Sequence, residues 1–360
     1  MDTDAPDGTA GPLLEVDDVR TYLETPRGVV RAVDGVSLAL PEGRALGIVG
    51  ESGSGKSMLL RSIINIVPRT ARLPTGRVLF EGRDLRTMTT RDLRRVWGPG
   101  IGIVFQDPNT SLNPVLTVER QITEGPRLHH LVDRAGGRDL AIALLRQVGI
   151  PEPERHLRSF PHRLSGGMRQ RVAIAVALAC DPKLLLADEI TSALDVTVQA
   201  QTMDLLAREQ RNRGMAMIFV THNVALVADR TDTIAVMYGG RIVEYAPTLQ
   251  LFRRPRHPYT LALMECAPAI DAPSRTRVAP IPGHPPDLVA PRIGCSFAPR
   301  CLSAQERCMV EDPALTSDAH GAVACWYPID TPEGLSAVET NQSRGRTAAG
   351  LALASPAGMA

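Results

Sequence analysis

Four short apolar runs recur along the chain, with helix-like stretches between them. They cover residues 44–49, 101–105, 183–187 and 216–220, and each ends at a polar or glycine-rich group. Runs of this length between helices are typical of strands that are buried on both faces of a parallel sheet. In an open parallel sheet, ligands bind beyond the carboxyl ends of the strands. The pattern therefore predicts an α/β fold in which these four strand ends converge on one site.

Changes in this pattern predict the domain boundaries. Residues from about 107 to 165 are polar and favour helices, so we expect an inserted helical subdomain there. Prolines become dense from about Pro247 onward, which predicts the end of the sheet domain and an irregular extension. The last stretch is rich in small and polar residues, a composition that predicts disorder. The predicted divisions are a flexible start at 1–12, the main domain at 13–250, the extension at 251–330 and the tail at 331–360.

Composition and charge narrow the range of partners and compartments. The sequence contains 40 Lys and Arg residues and 39 Asp and Glu residues, which gives a formal net charge of +1. With so little net charge, no nucleic acid is expected as a partner. The longest apolar run, residues 172–180, is far shorter than the roughly 18 residues that span a bilayer. Residues 1–10 are acidic and lack the order of a secretory signal, so we expect the chain to stay in the cytoplasm. In that reducing compartment, the six cysteines are interpreted as ligands, catalytic groups or core residues rather than as disulfides.

The first apolar run leads into a glycine-rich loop with the sequence Gly-Glu-Ser-Gly-Ser-Gly-Lys-Ser, followed by a helix-like stretch. Strand, glycine loop and helix in this order are typical of a phosphate-binding P-loop. Backbone amides of the loop can surround phosphates, Lys56 can reach the terminal phosphates, and the Ser57 hydroxyl can ligate Mg²⁺. The candidate nucleotide-binding residues of this segment are Gly50, Ser52, Gly53, Ser54, Gly55, Lys56, Ser57 and Met58.

Three other strand ends supply candidate catalytic residues. The run at 183–187 ends in Asp188 and Glu189, of which the first suits a Mg²⁺ site and the second can accept a proton from an attacking water. Gln106 and His222 follow the other two runs and can hydrogen-bond near a terminal phosphate. Taken alone, the two carboxylates could merely cap a helix, and a single histidine is more often structural. Their convergence with the P-loop favours catalysis.

A second glycine-rich segment contains Ser165, Gly166 and Gly167 and precedes an apolar helical stretch. A helix N-terminus carries free amides and a partial positive charge, so it suits an anion. The P-loop already holds one side of a nucleotide in the same chain. This second helix N-terminus is therefore predicted to bind a nucleotide held by another subunit. Without the other motifs, a glycine-rich helix cap would be the simpler interpretation.

The order of these motifs, with Ser192-Ala-Leu-Asp195 between Glu189 and His222, resembles the ATP-binding-cassette (ABC) family over roughly residues 13–330. The resemblance implies a P-loop NTPase with a RecA-like parallel core and an antiparallel β edge. It implies ATP and Mg²⁺ as cofactors. By similarity, Gln106 is a further Mg²⁺ ligand that links nucleotide to a membrane subunit, Asp195 crosses a dimer, and His222 is the switch histidine. Tyr22 falls where an aromatic residue usually stacks on adenine.

Within this family, the chain is most similar to the ATPase subunits of dipeptide and oligopeptide importers. The similarity lies in the P-loop sequence, in Met168-Arg-Gln-Arg after the second glycine segment, and in His257-Pro-Tyr-Thr and Ile281-Pro-Gly-His of the extension. Two positions depart from the family pattern: Ile190 replaces a proline and Asn223 an aspartate.

That similarity implies an ATPase that drives peptide uptake from the cytoplasmic face of the membrane. Its expected partners are a second ABC ATPase subunit, identical or related, two integral-membrane permeases and an extracytoplasmic solute-binding protein. Importers of nickel or other small solutes use related subunits, and the transported solute stays open. Two functions outside transport also stay open: a soluble ABC mechanoenzyme acting on DNA or ribosomes, and a partner subunit that binds ATP without turning it over.

Four cysteines cluster in 31 residues of the extension, namely Cys295, Cys301, Cys308 and Cys325. Four thiolates can complete a tetrahedral metal site or hold an iron–sulfur cube, and importer ATPases with these cysteines resemble cluster-binding proteins. A structural [4Fe–4S] cluster is therefore the hypothesis. Zn²⁺ is the alternative, although paired Cys-x-x-Cys motifs are missing from the sequence, and unliganded thiols stay open as well. The remaining Cys180 and Cys266 are interpreted as packing residues.

Overall fold

The computed structural model describes residues 11–190, 196–266 and 281–353. Its strands are β1 (Leu14–Thr25), β2 (Gly28–Leu40), β3 (Ala45–Val49), β4 (Ala71–Arg72), β5 (Arg77–Phe80), β6 (Arg83–Asp84), β7 (Ile101–Val104), β8 (Leu184–Asp188), β9 (Ala216–Thr221), β10 (Thr233–Tyr238), β11 (Arg241–Pro247), β12 (Thr316–Asp318) and β13 (Gly321–Val323). Its helices are α1 (Lys56–Ile63), α2 (Thr90–Val96), α3 (Pro108–Ser111), α4 (Val118–Leu128), α5 (Arg134–Gln147), α6 (Pro153–His156), α7 (Gly166–Leu178), α8 (Val196–Arg213), α9 (Thr248–Arg253), α10 (Pro258–Glu265), α11 (Glu306–Val310) and α12 (Pro332–Arg344). The predicted flexible start at 1–12 lies almost entirely outside the described residues.

The four apolar runs form neighbouring strands of one sheet. Its order is β12-β13-β11-β10-β3-β9-β8-β7, and β10, β3, β9, β8 and β7 are parallel. In this register Ile48 lies beside Val220, and Ala187 lies beside Phe219. The predicted parallel core is confirmed, and its strands end together at one edge.

Alternating side chains of the parallel strands enter two different cores. Leu185 and Phe219 pack in the core that includes helix α7, whereas Leu186 and Ile218 pack in the core that includes α1. All four side chains are nearly inaccessible to solvent. Burial on both faces explains why these strands are continuously apolar rather than alternating.

A second, antiparallel sheet supplies the expected β edge. Its order is β2-β1-β5-β6, and β4 pairs with β1. Strands β1 and β2 form a long hairpin from the Leu14–Leu40 pair to the Thr25–Gly28 pair at its tip. This hairpin shares a core with α1, which begins directly after the glycine loop.

Helices α3 to α6 lie between β7 and α7, in the region for which a helical subdomain is predicted. Helices α4 and α5 pack on each other and on α7. Asp133 caps α5 by accepting a hydrogen bond from the Gly136 amide at 2.7 Å. Ile122 and Leu145 are fully buried in the core that also contains Ile174 of α7. The insert is therefore joined to the helix that begins at Gly166.

Part of the extension is regular, where the proline-rich sequence predicts irregular structure. Strands β12 and β13 form a hairpin that continues the main sheet, with Val323 paired to Glu244 and Ala322 to Tyr245 of β11. Three-residue strands leave little hydrophobic periodicity in a sequence. The hairpin joins the main sheet because β13 pairs with the edge of β11.

The prediction of a disordered tail at 331–360 is wrong for its first part, which forms helix α12. Thr331 caps this helix by accepting a hydrogen bond from the Gly334 amide at 3.1 Å. Asn341 is fully buried and donates to the carbonyls of Leu302 and Ala304 at 2.8 and 3.1 Å. The cap and the buried amide hold the helix against the rest of the extension. Amino-acid composition cannot predict such specific contacts.

In the part of the chain that the structure describes, no helix combines the length and apolarity needed to cross a bilayer.

Candidate functional site

The glycine loop connects the end of β3 to the start of α1. Gly55 adopts a φ of +102°, and a Cβ atom there would lie 2.0 Å from the carbonyl oxygen of Ala32. Glycine is therefore required at this turn. The Lys56 ammonium is almost fully buried and donates to the carbonyls of Gly50 and Glu51 at 2.8 and 2.9 Å. The loop thus wraps around the lysine that begins α1.

The end of β8 meets the start of α1. The Ser57 hydroxyl donates to Asp188 Oδ1 at 2.7 Å, and Asp188 is 2% exposed. A hydroxyl and a carboxylate are hard oxygen donors, which Mg²⁺ prefers. Two of the three residues predicted for the metal, Ser57 and Asp188, therefore lie together, and their donor atoms suit Mg²⁺.

Glu189 lies at the centre of the residues predicted for catalysis. Its carboxylate lies 3.4 Å from Lys56 Nζ and 3.7 Å from His222 Nδ1, and it accepts a hydrogen bond from Gln106 Nε2 at 3.1 Å. The side chain is 11% exposed. The three neighbours follow β7, β9 and the glycine loop, so the strand ends converge on one carboxylate as expected.

The charges of the site are matched to a negatively charged, metal-bearing ligand. The neighbouring His222, assisted by the charge of Lys56, lowers the pKa of Glu189 against the effect of burial. Burial lowers the pKa of Lys56, whereas the nearby carboxylates of Glu189, Asp188 and Glu51 oppose that change. Burial raises the pKa of Asp188. A cation bound beside Asp188 would offset this desolvation, and Glu189 is kept in the ionised form that a base requires.

Ser165 is the N-cap of α7, and its hydroxyl accepts a hydrogen bond from the Met168 amide at 3.3 Å. Ser165 and Gly166 are exposed, and Gly167 is half-buried. The end of a thirteen-residue helix is therefore presented at the surface. This orientation leaves its first amides accessible to a ligand held by another molecule.

Tyr22, predicted to stack on adenine, lies on β1, where its hydroxyl donates to Asp34 Oδ1 at 2.7 Å. The groove beside the P-loop is bordered by the hairpin tip and by part of the extension. Its lining includes Thr25, Pro26, Arg27, Val30, Ser52, Gly53 and residues 285–289. Stacking of Tyr22 on the base stays a prediction, and the hairpin tip is the part of β1 and β2 that borders this groove.

Contacts of the extension with the P-loop are a feature that the sequence patterns miss. Arg300 and Tyr259 both hydrogen-bond Glu51, the second residue of the loop. Arg300 and Glu51 are separated by 249 positions. No periodic pattern spans such a distance, although the charge of a glutamate inside a phosphate-binding loop is a signal that a cation should lie nearby.

The two departures from the family pattern have simple structural roles. Ile190 is 3% exposed and packs in the core. Asn223 accepts a hydrogen bond from the Ala225 amide at 3.0 Å, which caps the turn Val224–Val227 as an aspartate would. The predicted dimer-crossing Asp195 lies outside the described residues, as does Ser192.

The four clustered cysteines line one small cavity in the extension. It has room for about one water-sized sphere, about 10 Å³, and its wall includes Cys295, Cys301, Cys308 and Cys325. All four are free thiols. Within the described ranges, no three potential ligands are arranged as a preformed metal site. The donor set suits a soft metal centre, and the thiols would have to move apart to admit a cluster. Cys180 is buried and Cys266 half-buried, and neither lines this cavity.

Comparison with known proteins identifies the family. A model described as ABC transporter matches residues 33–192, and one described as Oligopeptide/dipeptide transporter, C-terminal region, matches residues 243–308. The chain is 47% identical over 316 residues to a probable peptide ABC transporter ATP-binding protein of Sinorhizobium fredii, covering 87% of this chain and 94% of that protein. The chain belongs to the ABC transporter family.

Other relatives of this ABC transporter chain agree. It is 44% identical over 319 residues to the dipeptide transport ATP-binding protein DppD of Escherichia coli, covering 88% of this chain and 97% of that protein. A dimeric ATP-binding cassette solved in a post-hydrolysis state with ADP and Pi matches with a TM-score of 0.59 and 27% identity, over 65% of this chain and 98% of that one. The predicted P-loop NTPase fold is confirmed, and the chain is an ATPase.

Proposed function

We propose that this chain is the ATP-hydrolysing subunit of an importer for dipeptides or oligopeptides. The observation that carries the proposal is the match of residues 243–308 to the C-terminal region of oligopeptide and dipeptide transporters. That region lies outside the part matched by the general ABC model. The relatives with 44% to 47% identity also carry peptide or dipeptide transport names.

ATP is bound by the glycine loop and its lysine. Backbone amides of residues 50–55 surround the phosphates, and Lys56 exchanges its carbonyl partners for the terminal phosphates. Ser57 and Asp188, joined at 2.7 Å, would hold Mg²⁺, with Gln106 as a further ligand by family resemblance. The metal supplies positive charge beside the phosphates. The exchange of Lys56 to the phosphates also frees Glu189 from its ion pair.

Hydrolysis uses the carboxylate at the centre of the site. Glu189 accepts the proton of the attacking water, since the neighbouring His222 lowers the pKa of Glu189 and so favours its ionised form. Gln106 and His222 flank Glu189 and orient that water and the terminal phosphate. A base positioned in this way contributes roughly 10²- to 10⁴-fold to the rate.

A second ATPase subunit, identical or related, completes the nucleotide site. Ser165 and Gly166 are exposed and Gly167 is half-buried at the start of α7, so the segment can contact a nucleotide that another chain holds. Asp195 is proposed to cross the same dimer. Closure of the two subunits on ATP would move two permease subunits that contact the helical insert. A solute-binding protein delivers the peptide on the far side, and the ATPase sits peripherally on the cytoplasmic face of the membrane.

Copurification followed by transport tests this function. The tagged chain is isolated from detergent-solubilised membranes, and the copurifying proteins are identified by mass spectrometry. We expect two permeases and a solute-binding protein. The purified complex in proteoliposomes should take up a labelled tripeptide with ATP, and a complex carrying Glu189→Gln should not. Uptake of a nickel complex instead of peptide would reassign the transported solute. Copurification of ribosomes or DNA, without permeases, would contradict a role in transport.

We also propose that Cys295, Cys301, Cys308 and Cys325 hold a [4Fe–4S] cluster, with Zn²⁺ as the alternative. The proposal is supported by the shared cavity of the four thiols and by the absence of a disulfide at any of them. Four thiolates suit either centre, whose role would be to stabilise the extension.

Anaerobic purification tests this centre. We expect about four iron and four sulfide ions per chain, together with visible absorbance. The variant Cys301→Ser should lose the iron, the sulfide and the absorbance, because one thiolate ligand is removed. Cys266→Ser, outside the cavity, is the matched control and should keep the iron. One zinc per chain would replace the cluster assignment, and metal-free protein with normal stability would exclude both.

A further inference from the structure

The second residue of the P-loop, Glu51, is held by two residues from the far end of the chain. Arg300 donates from Nη1 to Glu51 Oε2 at 2.6 Å and from Nη2 to Oε1 at 2.9 Å, a bidentate ion pair. The Glu51 backbone N–H donates to the Tyr259 hydroxyl at 2.7 Å. Both the side chain and the backbone of Glu51 are therefore fixed from outside the loop. Bidentate charge-assisted pairs are among the stronger and more directional hydrogen bonds in proteins.

The groups that hold Glu51 are themselves rigidly packed. Arg300 is 4% exposed and also donates to the Pro282 carbonyl at 2.8 Å and to the Tyr238 hydroxyl at 3.2 Å. The rings of Tyr238 and Tyr259 lie 4.5 Å apart between centroids, and Phe297 packs against both. An arginine held on several sides loses little further conformational freedom when it pairs with a carboxylate. The extension thus presents a preformed cation to the loop.

The position of Glu51 matters for nucleotide because it lies beside Lys56. The Glu51 carbonyl accepts a hydrogen bond from the Lys56 ammonium, and the Glu51 carboxylate is among the charges that act on that ammonium. Without a cation of its own, this carboxylate would compete with the terminal phosphates for Lys56 and repel them. In a partly buried site such repulsion is weakly screened.

We propose that Arg300 and Tyr259 are positioning residues of the nucleotide site: Arg300 neutralises and orients Glu51, Tyr259 fixes its backbone, and the extension thereby sets the affinity for ATP. Neither residue needs to touch the nucleotide. The inference requires ATP binding, which the family establishes, but it depends on neither the transported solute nor the cysteine centre.

The test compares nucleotide affinity with turnover. Dissociation constants for Mg·ATP are measured for the purified parent chain, Arg300→Gln, Glu51→Gln and the double variant, together with KM and kcat. Arg300→Gln should weaken ATP binding about tenfold, because it leaves a carboxylate unpaired beside the phosphates. The double variant should recover to within about threefold of the parent, since the uncompensated charge is gone. The kcat at saturating ATP should change less than about twofold.

A purely structural brace would behave differently, since removal of both partners would not restore affinity. Affinity of Arg300→Gln within twofold of the parent, or a double variant as weak as Arg300→Gln, overturns the proposal. Arg254→Gln is the matched control, because it removes another ion pair of the extension, Arg254–Asp330, away from the loop. It should leave the affinity unchanged.

Tyr259→Phe keeps the test decisive if Arg300→Gln does not fold. It removes only the hydroxyl that accepts a hydrogen bond from the Glu51 backbone amide. The packed ring stays in place, so the fold is retained. We expect about a threefold loss of ATP affinity with unchanged kcat. An affinity equal to that of the parent in this variant would overturn the proposal. ATP binding by the parent chain is measured first. If the parent itself fails to bind ATP, the result counts against the ATPase assignment rather than against the role of Arg300 and Tyr259.

Discussion

Replacing Glu189 by Gln is expected to lower the rate of ATP hydrolysis about 10²- to 10⁴-fold, the usual contribution of a general base, while ATP binding is retained. The amide keeps the size of the side chain and one oxygen that can accept hydrogen bonds, but it cannot take a proton from water. Removing the negative charge also frees Lys56, whose ammonium lies 3.4 Å from Glu189, to bind phosphate. Phosphate release at saturating ATP and equilibrium binding of Mg·ATP measure the two effects separately.

Glu154→Gln is the control for this variant. Glu154 is exposed on the helical insert and pairs with Arg146 at the surface, so its loss should leave turnover unchanged. Turnover of Glu189→Gln within a few-fold of the parent would remove Glu189 from the role of base. A single-turnover measurement on the parent also tests whether the chain binds ATP without hydrolysing it.

Replacing Gly55 by Ala should weaken ATP binding about 100-fold, equivalent to roughly 2.7 kcal/mol. The new Cβ would lie 2.0 Å from the Ala32 carbonyl oxygen and 2.9 Å from Met237 Cε, and φ at this residue is +102°. The loop must therefore move away from β2, and strain of this kind costs on the order of 1–3 kcal/mol per residue. Binding of Mg·ATP, followed by calorimetry or a fluorescent analogue, measures the loss.

Gly53→Ala provides a matched substitution in the same loop. Gly53 also has a positive φ, +81°, but nothing lies within 4 Å of the position its Cβ would take. Only the backbone cost of roughly 1–2 kcal/mol applies, so the loss should stay below about 30-fold. Equal losses in the two variants would show that the contact with Ala32 does not control the loop. Thermal unfolding without nucleotide separates a change in binding from a loss of fold.

Hydrophobic patterning was sufficient to predict the parallel sheet and the convergence at its edge. Strands buried on both faces must be continuously apolar, so residues 184–187 and 216–220 stand out in the sequence. Their order and the polar groups at their ends then bring Glu189 near Lys56 and His222. These geometric relations follow from local signals together with the general topology of parallel sheets.

Helix α12 and the extension's hairpin were harder to predict because their stability comes from docking. Asn341 is an ordinary polar residue in the sequence, yet it is fully buried against two carbonyls. Val323 becomes part of a strand by pairing with Thr316 of β12 on one side and with Glu244 on the edge of β11 on the other. Short elements of this kind gain most of their free energy from tertiary contacts rather than from local propensity.

The sequence by itself determined the fold class, the P-loop and the carboxylates at the end of β8, because each of these depends on residues that are close together in the chain. Only the tertiary structure decided which cation balances Glu51, since Arg300 lies 249 positions away. It also decided that the four cysteines share one cavity with little free space. Contacts between distant segments depend on how the whole chain packs, and side-chain spacing along the sequence carries no trace of that packing.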